Sequence, residues 1–133
     1  MIINENTQID HWVEELLRGP SNIISIDIKD YALIKNRSVS MKAVKYDTTE
    51  LTEEILASID DEFKELGKGK VNDLLLFFKC GRTTSFTIEE MVLLSDSIQR
   101  HIETENIIWG MSENNDDTIG LTVFVVAGYI EEE

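Results

Sequence analysis

Val71-Asn72-Asp73-Leu74-Leu75-Leu76-Phe77-Phe78-Lys79-Cys80-Gly81 is the stretch on which the fold turns. Its apolar residues are consecutive from Leu74 to Phe78 rather than alternating, the pattern of a central strand covered on both faces, expected here over 71–80. Lys68 to Lys70 form the turn that leads into it. Upstream, Thr49 or Thr52 is placed to cap a helix over 49–66. Glu50, Glu53 and Glu54 load its first turn with the charge that the helix dipole favours, and Ile55, Leu56, Ile59, Phe63 and Leu66 share one face. Gly67 ends that helix. Downstream, Thr87 and Glu90 have the spacing of a capping box, and Met91, Val92, Leu94, Ser95, Ile98 and Ile102 follow at helical intervals, which predicts a helix over 87–103.

Further out, Val39, Met41 and Ala43 alternate with Ser38, Ser40 and Lys42, the period of a half-buried strand over 37–46. Segments 106–111 and 119–129 read as two more strands, joined as a hairpin by the polar segment Ser112 to Thr118. Near the N-terminus, Ile9, Trp12, Val13, Leu16 and Leu17 mark an amphipathic helix over 8–19, stopped by Gly19-Pro20. Ile23, Ile24, Ile26 and Ile28 fit either a strand or a packed loop, and Tyr31 to Ile34 fit one or two helical turns. The order is therefore a helix, a short helix and then β-α-β-α-β-β. This predicts an α+β fold: a two-layer α/β sandwich with a mixed four-stranded sheet, one domain over 1–133. Leu75, Phe77, Ile98, Val123 and Val125 are expected in its core.

A chain of 133 residues, 42% hydrophobic and 29% charged, has the size and composition of one globular domain. Acids outnumber bases 26 to 12, and the net charge of −14 repels both nucleic-acid phosphates and anionic lipid. Neither nucleic acid nor membrane is an expected partner. No apolar run approaches the roughly 20 residues needed to cross a bilayer. The single cysteine, Cys80, has no internal partner, and the first residues lack the pattern of a secretory leader, so a reducing cytoplasm is the expected location. Lys29, Lys35, Arg37, Lys42 and Lys45 cluster early; no lysine or arginine follows Arg100, and Glu131 to Glu133 form an acidic tail.

The residues that chemistry requires are sparse. His11 and His101 neighbour no serine or cysteine in any nucleophile motif and read as surface residues. Asn114 to Asp117 lack the alternating oxygens, central glycine and distal glutamate of a calcium loop, and Cys80 reads as a small buried hydrophobe. The seven glycines never cluster into a phosphate-binding turn. The expectation is no catalytic residue, no metal, no cofactor and no nucleotide bound by these residues alone. One constellation remains: Asp27 and Asp30, three residues apart, after an apolar stretch and at the start of a short helix. They either cap that helix or project from a loop to orient a water or polarise a partner's site.

The run Leu17-Arg18-Gly19-Pro20-Ser21-Asn22-Ile23-Ile24-Ser25-Ile26-Asp27-Ile28-Lys29-Asp30 resembles the end of the central helix and the following synergy loop of the cell-division GTPase FtsZ, where the pattern is Gly-x-x-Asn-x-Asp-Phe-x-Asp. Val71 to Gly81 is similar to the family's strand that ends in a glycine turn, and Phe86 to Ile102 to its last long helix. Asn106 to Gly110 and Leu121 to Tyr129 resemble its closing pair of strands. The colinear series covers about residues 8 to 130 and corresponds to the C-terminal domain of the FtsZ/tubulin family, without the nucleotide-binding domain. The resemblance implies that Asp27 and Asp30 occupy the positions of the two synergy-loop aspartates, which in the family enter the next subunit's nucleotide pocket. Asn22 stands where the family has glycine, Ser25 where it has asparagine and Ile28 where it has phenylalanine.

The resulting expectation is a non-catalytic regulatory module whose partner-binding residues are Asn22, Ser25, Asp27 and Asp30, docking on an FtsZ-type subunit. The alternative is an acidic interaction or inhibitor protein for a basic partner. An enzyme of chorismate-mutase-like fold shares the element order, but its dianionic substrate requires converging cations, and the chain has four arginines, Arg18, Arg37, Arg82 and Arg100.

Overall fold

The computed structural model describes residues 2–17, 22–24, 28–48, 52–81, 88–104, 106–114 and 120–130. In chain order these form β1 (Ile2–Ile3), α1 (Asn6–Leu17), β2 (Asn22–Ile24), α2 (Ile28–Arg37), β3 (Ser40–Thr48), α3 (Glu53–Leu66), β4 (Val71–Gly81), α4 (Ile88–His101), β5 (Asn106–Asn114) and β6 (Leu121–Tyr129). The mixed α and β class, the four expected strands and their order along the chain are as the sequence predicts. Thr52, not Thr49, caps α3: its hydroxyl accepts the Ile55 N–H at 3.2 Å. The strand expected from residue 37 begins at Ser40, because Arg37 is still the last residue of α2. Thr87 of the expected capping box lies outside the described residues.

The sheet is wider than four strands. Its order is β1-β3-β6-β4-β5-β2, six strands in all. The two additions are short edge pieces: Ile2 and Ile3 pair with Val44 and Ala43, and Asn22 and Ile24 pair with Ser112 and Met111. Strands of two or three residues are too short to display a hydrophobic period, which is why the sequence pattern misses β1 and leaves β2 undecided.

The expected hairpin between β5 and β6 does not form. β6 lies between β3 and β4, antiparallel to both, whereas β5 pairs in parallel with β4 on its other side. Burial explains the arrangement. All nine residues of β6 are buried, which requires strands on both its edges and cover on both its faces, while β5 keeps exposed residues and sits near the margin.

The expected two layers are three, because helices cover both sides of the sheet. Leu74, Leu76 and Phe78 of β4 join Val123 and Val125 beneath Ile59, Phe63 and Leu66 of α3 and Leu94 and Ile98 of α4. The alternate residues Leu75 and Phe77 join Phe124 and Val126 beneath Ile9, Val13 and Leu16 of α1 and Tyr31 and Ile34 of α2. The five expected core residues are all buried, divided between these two clusters. Two glycines mark close approaches. Gly67 has an ordinary right-handed φ of −76°, but a Cβ there would lie 1.9 Å from the His101 carbonyl oxygen. One at Gly128 would lie 2.2 Å from Ser38 Oγ, where the chain leaves α2.

Candidate functional site

The segment singled out by the sequence spans the end of β2 and the start of α2. Asn22 opens β2, opposite Ser112 of β5. Asp30 lies in the first turn of α2, where the helix dipole favours a carboxylate, and is half-buried. Ser25 and Asp27 lie outside the described residues. Of the four candidate partner-binding residues, the structure therefore places Asn22 at the sheet edge and Asp30 on the helix that follows.

What holds that helix in place is well defined. Tyr31 and Ile34 bury one face of α2 against the sheet. From α1, Asp10 accepts the Tyr31 hydroxyl at 2.5 Å on one carboxylate oxygen and Lys35 Nζ at 2.7 Å on the other. Burial opposes ionisation of Asp10, but Lys35 and Tyr31 together outweigh it and hold the carboxyl below the usual range. Burial, and then the carboxylate facing it, push the Tyr31 phenol in the opposite direction. At the other end of α2, Arg37 Nη2 donates to Asp73 Oδ1 at 2.6 Å. Asp73 is only 1% exposed and accepts Asn72 Nδ2 at 3.0 Å on its second oxygen. Ser38 Oγ closes the helix by donating to the Ile34 carbonyl at 2.6 Å. The start of α2, with Asp30, thus stands on a helix anchored along its length.

The histidines divide. His11 is exposed, with its Nε2 3.9 Å from Glu15. His101 is not a surface residue: its side chain is 18% exposed, and its Nε2 stands 3.0 Å from Asp60 Oδ2. That is an ion-pair distance, although the ring N–H is not aligned for a hydrogen bond. The other Asp60 oxygen accepts Ser97 Oγ at 2.6 Å and lies 3.4 Å from Arg100 Nη1. The Ser97 hydrogen bond foremost, then His101 and Arg100, hold the Asp60 carboxyl below its ordinary value. Here serine and histidine both face the carboxylate rather than each other, so the arrangement ties α3 to α4 and is not a nucleophile–base pair. Sequence reading missed these links. Their only local signal is the four-residue spacing of Tyr31 with Lys35 and of Ser97 with His101. Among the described residues, no cluster of histidine, cysteine or carboxylate side chains could hold a metal. No helix among them is long and apolar enough to cross a membrane.

The architecture has solved counterparts. CetZ from Methanosaeta thermophila matches 94% of this chain with a TM-score of 0.63 at 13% identity. An FtsZ point mutant from M. jannaschii matches 92% with a TM-score of 0.55 at 12% identity. The fold is that of an FtsZ/tubulin C-terminal domain. At these identities the likeness is one of fold, and the chain spans 35% and 37% of the length of those two proteins. No protein-family model and no curated protein matches the sequence.

Proposed function

We propose that this chain is a non-catalytic interaction module that docks on an FtsZ-type subunit through the segment carrying Asn22, Ser25, Asp27 and Asp30. The observation that carries this reading is the structural match to CetZ and FtsZ over almost the whole chain. The anchored α2 supports it, because a helix held at both ends presents its first turn at low entropic cost. In the mechanism we favour, the two aspartates approach the nucleotide face of the partner. These 133 residues hold no clustered glycines with which to build such a face, so, docked in this way, they offer none to a further neighbour, and capping of the filament end is the expected outcome.

Sedimentation of FtsZ polymers with and without the protein tests the reading. Capping predicts less pelleted polymer at substoichiometric protein. Replacing Asp27 and Asp30 together by alanine should remove the effect while leaving melting nearly unchanged, and added salt should weaken the wild-type effect. The comparison belongs in GDP, in GTP and without nucleotide, because phosphates repel carboxylates unless a cation or water intervenes. A folded double mutant that acts like wild type in all three would leave the acidic interaction module as the better account.

A further inference from the structure

The α3/α4 side of the sheet is incompletely roofed. Ile107 and Trp109 of β5 stand in register with Leu74 and Leu76 of β4, whose side chains are buried beneath α3 and α4. Yet Ile107 is 41% and Trp109 46% exposed. With Leu76, Phe78 and Ile98 they line a groove of about 250 Å³ between β5 and α4, bounded on the helix by Ser95 and Gln99. Val92, one turn before Ser95, is also exposed and prolongs the apolar strip. Along the outer edge of β5, β2 pairs only at Met111 and Ser112. Among the described residues, no strand pairs with Asn106–Gly110 on that edge. An apolar groove beside a strand edge with which no described residue pairs suits an extended peptide, whose backbone continues the sheet while alternate side chains enter the groove.

Charge selects the occupant. Val92, Asp96 and Gln99 follow one another at helical spacing on α4 beside the groove, Glu103 comes two residues past the end of that helix, and Asp96 and Glu103 are exposed. Between Ile88 and Asn114 the one lysine or arginine is Arg100, which reaches Asp60 on the α3 side. A second copy of this chain would bring the same carboxylates against these, adding to the repulsion of two −14 charges. We propose that the α4/β5 groove is a docking site for an extended segment of a protein partner whose groove-facing side chains are apolar and are flanked on that same face, at two-residue spacing, by lysine or arginine, with Trp109 as the principal anchor. The inference does not rest on the loop of Asp27 and Asp30.

The test is selection of a phage-displayed library of random peptides on the immobilised wild-type protein. The enriched peptides should carry apolar residues at alternate positions, flanked at the same two-residue spacing by lysine or arginine. A synthetic copy should bind wild type at least about tenfold more tightly than Trp109→Glu, a loss of about 1.4 kcal/mol. It should bind more weakly as salt rises. Asp96→Lys combined with Glu103→Lys, at exposed positions, should also weaken it, whereas Asp27→Ala with Asp30→Ala should bind like wild type. Circular dichroism and melting establish that each variant is folded. No enrichment, enrichment of acidic peptides, or equal binding to folded Trp109→Glu would overturn the proposal. So would wild-type dimerisation that Trp109→Glu abolishes, which would assign the groove to a second copy.

Discussion

The two sides of the sheet are roofed to different extents. On one side α1 and α2 close over Leu75, Phe77, Phe124 and Val126, and the seam is reinforced by polar and aromatic contacts. Asp10 joins the two helices, Arg37 reaches Asp73, and Trp12 meets Phe124 edge-on at 6.0 Å with Lys45 Nζ 5.7 Å from its ring centre. On the other side α3 and α4 cover the larger cluster and are tied through Asp60, but they stop short of β5. That a margin is left bare follows from dimensions, and which strands are left is set by where each helix pair lies. Two helices about 10 Å wide roof about four strands spaced about 4.8 Å apart, and the sheet has six. A fifth strand is left at the margin, and its apolar side chains stay partly wet unless something else covers them.

This contrast can be broken by mutation. The largest effect is expected at Phe77, fully buried under α1 and α2: Phe77→Ala should cost about 3 to 5 kcal/mol in chemical denaturation. An unchanged melting temperature would mean that β4 does not present that residue to the closed side. Next, Arg37→Met leaves the Asp73 carboxylate buried with Asn72 as its remaining partner, and should cost about 1 to 3 kcal/mol. Asp73→Asn combined with Arg37→Met should recover part of that loss, since no unpaired charge then remains buried.

On the open side Trp109→Ser should cost only about 1 kcal/mol, because nearly half of that ring is already in water. A loss as large as that of Phe77→Ala would show the groove to be core. The smallest effects concern pH. Asp10 and Asp60 are both held below the ordinary carboxylate value of about 4, so the stability they contribute is present above that value and lost as pH falls through their lower folded values. Asp10→Asn and Asp60→Asn should each cost about 0.2 to 1 kcal/mol at neutral pH and flatten the acid limb of the stability curve. Equal flattening would show that both seams are tied alike.

Much of this was legible locally. The α3 helix with its Thr52 cap, the continuous apolar run of β4 and the alternation of β3 are properties of neighbouring residues, and each element formed where that pattern lies. The site was less so. Asp27 and Asp30 were marked by resemblance and spacing, and of the two the structure describes Asp30, on a helix whose anchors come from Asp10 and Asp73, distant in sequence. The groove was invisible because Ile107 and Trp109 carry the same alternation whether a helix covers them or not.

The sequence by itself determined the types and order of the longer elements, the acidic charge and the presence of strands rich enough in apolar residues to need cover on both faces. Only the tertiary structure decided that β6 inserts between β3 and β4 instead of pairing with β5, that the helices divide between two faces, and that β5 is left exposed. The physical reason is that hydrophobic period and capping are set within a few residues, whereas strand order and roofing are set by which arrangement buries the most apolar surface at once.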